Sequence, residues 1–233
     1  MNIIKKTKLR VQSAFPRSAE VFAKSKERLL SSYRGEEYVK NVFSDIYERN
    51  DWENPESRSG KCATVEATNL IRQELPPLLK KLKVKSMLDA PCGDFNWMKH
   101  TKLDLEKYIG GDIVPDLIAR NRELYTNEVR QFRVIDITKD EIPAVDLIFC
   151  RDCLIHLSLN YMAAAIDNFK KSGSKYLLTT TYTSPEQNKD ILTGDCRSIN
   201  LQIPPFNLPE PLELIVELPE TSKSMALWRI EDL

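Results

Sequence analysis

Four short apolar runs in this chain each end on acidic residues or run straight into them: Asp89, Asp112, Asp136 and the pair Arg151-Asp152. An ionised carboxylate is an acceptor only, so acids lined up on one edge suit a polar ligand with hydroxyl or amine donors, or a positive centre. The first of them opens KSMLDAPCGDFNW (Lys85 to Trp97), where the run stops at Asp89 and breaks into Pro91-Cys92-Gly93-Asp94. Gly93 lets the backbone approach a ligand closely. Asp152 and His156, one of only 2 histidines, stand four apart after the fourth run. On a helix that spacing puts both on one face, where a carboxylate could orient an imidazole as a general base.

The elements that must carry these residues alternate. Strands are expected at Ser86–Asp89, Tyr108–Asp112, Phe132–Asp136, Asp146–Cys150 and Tyr176–Thr181, with helices at Pro115–Tyr125 and Leu159–Lys171 between them. Strand, helix, strand with buried-type runs predicts an α/β fold whose parallel sheet is covered by helices on both faces. Ligands of such sheets bind outside the carboxyl ends of the strands, which is where the acids fall. Upstream, Thr64–Glu74 reads as a helix, Pro76-Pro77 as the start of a second turn, and Asp51–Cys62 as a loop. Downstream, four prolines make Gln202–Pro211 a loop, and Leu212–Leu218 with Met225–Ile230 predict an antiparallel hairpin.

Asp112 follows Asp89 by 23 residues, the place for a carboxylate that accepts both hydroxyls of a ribose. Asp136, further along the rim, suits an adenine amine. Taken singly, each acid serves equally well as an N-cap or turn former; the nucleoside site rests on the four together. A dinucleotide would want GxGxxG before a helix N-terminus. Here only Gly93 is present, and Asp94 would repel phosphate. S-adenosylmethionine fits better, with a ribose, an adenine, a sulfonium and an ammonium group and no phosphate.

LDAPCGDF, GGDIV and VDLIFCRDCLIHL together resemble the first, second and fourth motifs of the class I S-adenosylmethionine-dependent methyltransferases. The likeness spans about Ser57 to Leu233. A bacterial and viral subgroup is closer still, matched by Ser57-Arg58-Ser59-Gly60, Pro91–Met98, Cys150–Leu157 and Thr193–Pro209. The chain departs from that pattern at Lys61-Cys62, where a Gly-Ser turn is expected, and at Cys196, where a tryptophan is expected. The resemblance implies a Rossmann-like, seven-stranded, mostly parallel sheet with an antiparallel last strand. It implies S-adenosyl-L-methionine as cofactor, contacted by Arg58, Asp89, Pro91, Gly93, Asp94, Trp97, Asp112, Ile113, Asp136, Ile137 and Arg151, with Asp152 and His156 as candidate catalytic residues and no metal. Arg58 or Ser59 would hold the cofactor carboxylate, and Asn96 and Trp97 would wall the methionine end. Core packing serves equally for Trp97.

The expected activity is O-methylation of a small molecule or of a sugar hydroxyl in a glycan. Two other classes stay open: a nucleic-acid or protein methyltransferase, and a non-catalytic nucleoside-binding module. Lys+Arg and Asp+Glu balance at 34 each, so nucleic acid is not the expected partner. Residues 1–40 carry ten Lys/Arg against four Asp/Glu, a local +6, but lack interleaved aromatics. Residues 1–50 are read as a helical N-terminal extension, with helix-like spacing at Ser18–Ser32 and Glu36–Glu48, and 51–233 as the cofactor-binding domain. No apolar run reaches the ~20 residues that span a bilayer, and a cytoplasmic location is expected. Cys150 and Cys153 match CxxC, but without a second pair they read as two thiols flanking a strand end. Ile203-Pro204-Pro205-Phe206 resembles the motif of base-amine methyltransferases, yet it follows the fifth strand and is read as a loop.

Overall fold

The computed structural model describes Gly35 and residues 37–233. The chain divides into two compact units, Met1–Asn41 and Val42–Leu233. The helix expected at Ser18–Ser32 lies outside the described residues. The one expected at Glu36–Glu48 is α1, Tyr38–Arg49.

The second unit is built on one seven-stranded sheet. Its strands are β1 (Ser86–Asp89), β2 (Lys107–Asp112), β3 (Arg130–Val134), β4 (Leu147–Cys150), β5 (Tyr176–Tyr182), β6 (Glu213–Leu218) and β7 (Lys223–Arg229). They lie in the order β3-β2-β1-β4-β5-β7-β6. β1 pairs in parallel with both β2 and β4, so the order reverses on either side of it. β7 runs antiparallel to β5 and to β6. The expected sheet with its antiparallel last strand is therefore present. The ligand-binding edge of such a sheet is the crevice at the carboxyl ends of β1, β2 and β4.

Alternation in the strands explains the burial. Met87, Tyr108, Phe132, Leu147 and Phe149 join one core cluster with Ile71, Leu75 and Leu78 of α2 (Asn69–Lys81) and Leu117 and Ile118 of α3 (Pro115–Tyr125). The opposite pleat, Leu88, Ile109, Ile148 and Leu177, is equally closed to solvent, as a sheet covered on both faces requires. Helix α4 (Leu159–Lys171) buries Met162, Ala165, Ile166 and Phe169.

Several boundaries differ from the sequence reading, among them the start of α2, at Asn69 rather than Thr64. Helix α2 does not break at Pro76-Pro77 but runs through both prolines. Each proline removes a helix donor, yet Ile71, Leu75, Leu78 and Leu79 form a continuous buried stripe across them, and that burial outweighs the lost bonds. Strand β3 ends at Val134, not at Asp136. Asp136 instead closes a turn on itself, its Oδ1 accepting from the Thr138 N–H at 2.9 Å and the Thr138 hydroxyl at 2.6 Å. Among the described residues, no helix is long and apolar enough to cross a membrane.

Candidate functional site

The turn after β1 is held from two sides. Gly93 has φ 53°, a left-handed conformation that favours glycine, and a Cβ there would stand 2.3 Å from the Ser59 hydroxyl oxygen. That contact brings the Ser57-Arg58-Ser59-Gly60 loop onto the turn. Asp94 fastens it: its carboxylate accepts from the Ser57 hydroxyl at 3.0 Å and from the Arg58 N–H at 2.8 Å, while its own N–H donates to the Ser59 hydroxyl at 3.1 Å. On the other side, the Gly93 N–H donates to Oδ2 of Asp112 at 3.1 Å and the Val114 N–H donates to Oδ1 at 3.0 Å. Asp112 thus positions the turn while keeping lone pairs for a ligand, since a carboxylate offers about four acceptor sites.

Burial sets the charge of this rim. Desolvation pushes Asp89 up to about 7, against the Tyr108 hydroxyl that donates to it at 2.5 Å. Desolvation likewise pushes Asp112 up to about 6, against the Val114 and Gly93 N–H groups. Cys153 lies three residues past the end of β4. Its thiol is raised well above the ordinary value by its hydrogen bond with Cys150 and by burial, then by the nearby charges of Asp112 and Asp136. Asp89 in turn feels both Asp112 and Arg151. In the parallel order β3-β2-β1-β4 the carboxyl ends that carry Asp112, Asp89 and Arg151-Asp152 lie side by side on one edge, with Asp136 two residues beyond the end of β3.

At the end of β4, Arg151 and Asp152 enter a buried ionic cluster with residues 65 and more positions away. Arg151 Nε donates to Glu217 at 2.8 Å, and its Nη1 donates to the Cys62 carbonyl at 3.0 Å and lies 3.2 Å from Asp152. Lys223 Nζ lies 2.7 Å from Asp152 and 3.3 Å from Glu217. Burial alone would raise the Asp152 carboxyl, but Arg151 and Lys223 together bring it below the usual range. Asp152 also has φ 52°, and no α-helix contains both it and His156; a single 3-10 turn covers Leu154–His156 before α4 starts at Leu159. The helix-face pairing of Asp152 with His156 is therefore absent. The imidazole is oriented by a different group, the carbonyl of Asp195, 2.8 Å from Nδ1. A carbonyl only accepts, so Nδ1 carries the proton and Nε2 of a neutral ring keeps its lone pair. Burial lowers the His156 pKa from its ordinary value, so the neutral form prevails at pH 7.

No family model and no curated relative matches the sequence. Solved structures do match in fold. Human N-acetylserotonin methyltransferase in complex with SAM aligns at TM-score 0.56 and 12% identity over 81% of this chain and 58% of that one. Magnesium protoporphyrin IX methyltransferase from Synechocystis PCC 6803, with bound SAH, gives 0.55 and 11% over 81% and 97%. The 1,6-didemethyltoxoflavin-N1-methyltransferase of Burkholderia thailandensis, with its substrate and S-adenosylhomocysteine bound, gives 0.54 and 12% over 82% and 86%. The chain has the class I methyltransferase fold.

On this methyltransferase fold the remaining candidates divide. Pro91 follows a cis peptide bond after Ala90. Ile113 is half-buried and Ile137 buried, next to Asp112 and Asp136 respectively. Trp97 is 8% exposed and packs in the core, 6.0 Å from the Phe149 ring, with the Arg151 guanidinium 5.6 Å from its own ring centre. Core packing and a place beside Arg151 thus coexist for this residue. The Arg58 guanidinium lies 5.2 Å from the Tyr47 ring centre and donates to the Tyr47 carbonyl at 2.7 Å. It lines a cleft of about 350 Å³ together with Ser57, Asp94 and Asn96.

Several residues of the site escaped the sequence reading. Lys223 and Glu217 lie on the terminal hairpin, and only the sheet order brings them to Asp152. Asp195 acts through its backbone, for which no residue type is a signal. Trp52, with its ring 5.5 Å from that of His156, sits in a loop read as polar. At Cys196, one of the departures from the subgroup pattern, the thiol is raised by burial, then by the charges of Asp152 and Cys62.

Proposed function

We propose that the protein is an S-adenosylmethionine-dependent methyltransferase that methylates a hydroxyl of a small molecule or a sugar of a glycan. The observation that carries this reading is the placement of Asp89, Asp112 and Arg151-Asp152 at neighbouring parallel strand ends, with Asp136 just beyond the next, beside a single-glycine turn. The rim fits the cofactor chemically. Acidic acceptors suit ribose hydroxyls, an adenine amine and a sulfonium–ammonium pair, and Asp94 beside the turn disfavours a pyrophosphate.

In this reading Asp112 accepts from the ribose, Asp136 with Ile137 meets the adenine, and Ile113 packs beside the ribose. Asp89, Pro91, Gly93 and Asp94 border the methionine half, with Trp97 and Arg151 behind it and Arg58 at the outer wall. Bound there, S-adenosylmethionine would supply a methyl group on a sulfonium that departs as a neutral thioether as an acceptor oxygen bonds to the methyl carbon. The work left to the chain is placement and removal of one proton. Nε2 of His156 takes the hydroxyl proton, with Nδ1–H held on the Asp195 carbonyl. Asp152, kept anionic by Arg151 and Lys223, stabilises the imidazolium that results.

Incubation with S-adenosylmethionine and a panel of hexose and deoxyhexose glycosides tests this. The expected result is release of S-adenosylhomocysteine that depends on the glycoside and yields a methyl ether. Cofactor binding without turnover on any hydroxyl acceptor would instead favour a binding module.

A further inference from the structure

His156 sits at the end of a single 3-10 turn, Leu154–His156, so its aim depends on what grips the carbonyls of that turn. One segment does so, Thr193–Arg197. The Gly194 N–H donates to the His156 carbonyl at 2.8 Å and the Arg197 N–H to the Ile155 carbonyl at 3.2 Å. The Thr193 hydroxyl accepts from the Ser158 N–H at 3.1 Å. Between Gly194 and Arg197 lies Asp195, whose carbonyl meets Nδ1 of the imidazole at 2.8 Å. The bond that sets the tautomer is therefore only as fixed as the two segments it joins.

The Arg197 side chain fastens them together. Its Nη1 donates to the Leu154 carbonyl at 3.1 Å and to the Ile155 carbonyl at 2.9 Å. Its Nε donates to the Lys189 carbonyl at 3.1 Å and its Nη2 to the Met162 sulfur of α4 at 2.8 Å. Donors diverging from one rigid plane make these bonds together, which a single ammonium cannot do. Leu154 is closed to solvent, so water does not replace the lost donor unless the turn opens. The partners in these bonds are neutral, and the charge reaches the imidazole. Burial lowers the His156 pKa first, and Arg197 and Lys223 add to it against the Asp195 carbonyl and Asp152.

We propose that Arg197 is the positioning residue of His156: by clamping the Leu154–His156 turn to Thr193–Arg197, it holds Nδ1–H on the Asp195 carbonyl and leaves the Nε2 lone pair free to take the acceptor proton. This rests on the reading of His156 as general base, but the clamp itself can be observed without turnover.

Long-range proton–nitrogen correlation spectra of the imidazole at pH 8 test it, on wild type, Arg197→Gln and Arg197→Lys. A His100→Gln background leaves His156 as the one histidine, since the chain has 2. The wild-type ring should show the Nδ1–H tautomer alone. Both variants should show a mixture with Nε2–H, and kcat should fall at least roughly tenfold with cofactor affinity near wild type. Arg197→Lys keeps the charge and most of the side-chain length, so it isolates the fork and covers the case in which Arg197→Gln does not fold. An Nδ1–H ring unchanged in every variant that folds, or a wild-type ring that is not Nδ1–H, would overturn the clamp even if His156→Gln loses activity. Mixed tautomers in the variants, with turnover indifferent to His156→Gln, would support the clamp and contradict the base reading alone.

Discussion

The Gly93 N–H donates to the Asp112 carboxylate at 3.1 Å, joining the turn after β1 to the end of β2. A residue expected to face a ligand is thus also the post on which the turn hangs. The turn, in turn, carries Asp94 and through it the Ser57–Gly60 loop. Perturbing either end should be felt across the whole edge of the sheet.

Gly93→Ala should destabilise the fold by more than the ~1–2 kcal/mol of a left-handed alanine, because its Cβ also meets the Ser59 oxygen at 2.3 Å. Adding Ser59→Ala removes the 2.3 Å contact, leaving the Ser59 Cβ at 3.1 Å and the backbone strain. Denaturant melts of the two single variants and the double should show a favourable coupling between them. Simple additivity would contradict the close approach.

Asp89 makes the stability depend on pH. Its carboxyl rises from 3.8 unfolded to about 7 folded, so the folded state binds more protons between those values. The stability it contributes is full below about pH 4 and is lost as pH rises through about 7. The full span is worth about 4 kcal/mol, at 1.36 kcal/mol per pH unit. Asp89→Asn keeps an acceptor for the Tyr108 hydroxyl and should be more stable than wild type at pH 8. It should also flatten the profile between pH 5 and 8, as urea melts across that range would read.

Lys223→Met should cost about 3–5 kcal/mol, the scale for removing one partner from a buried pair. It leaves Asp152 and Glu217 to share Arg151. A second change, Glu217→Gln, removes the surplus charge and should recover part of the loss. Equal stability of wild type and Lys223→Met in urea would show that the cluster is not closed to water.

The sequence displayed the parallel core and the rim more clearly than the site's supports. Strand-end acids and helix spacing are local signals, and Asp89, Asp112 and Pro115–Tyr125 stand where those signals put them. Asp136 was displaced by two residues because Asp closes a turn as readily as it ends a strand, and the Thr138 bonds decided between the two. The Pro76-Pro77 break was overruled by the buried stripe from Ile71 to Leu79. Lys223, Glu217 and the Asp195 carbonyl could not be read, since each acts through contacts set by strand order or backbone position.

His156 should govern the pH dependence of turnover. Burial holds its pKa below the ordinary 6.5, so the rate should be flat above neutrality and fall in acid as Nε2 is protonated. His156→Gln should lower kcat by roughly 10²–10⁴-fold while leaving cofactor affinity near wild type, the range for losing a general base. A rate unchanged by the substitution would assign catalysis to positioning alone.

The affinity for S-adenosylmethionine, measured by calorimetry between pH 5 and 8 on wild type and Asp112→Ala, tests the acidic rim most directly. Asp112 is pushed up to about 6, so wild-type affinity should plateau above that value and weaken by up to roughly tenfold per pH unit below it. Asp112→Ala should bind about 1–3 kcal/mol more weakly at pH 8 and lose that pH dependence. No binding to the wild type, or an affinity that neither the substitution nor the pH alters, would contradict the account.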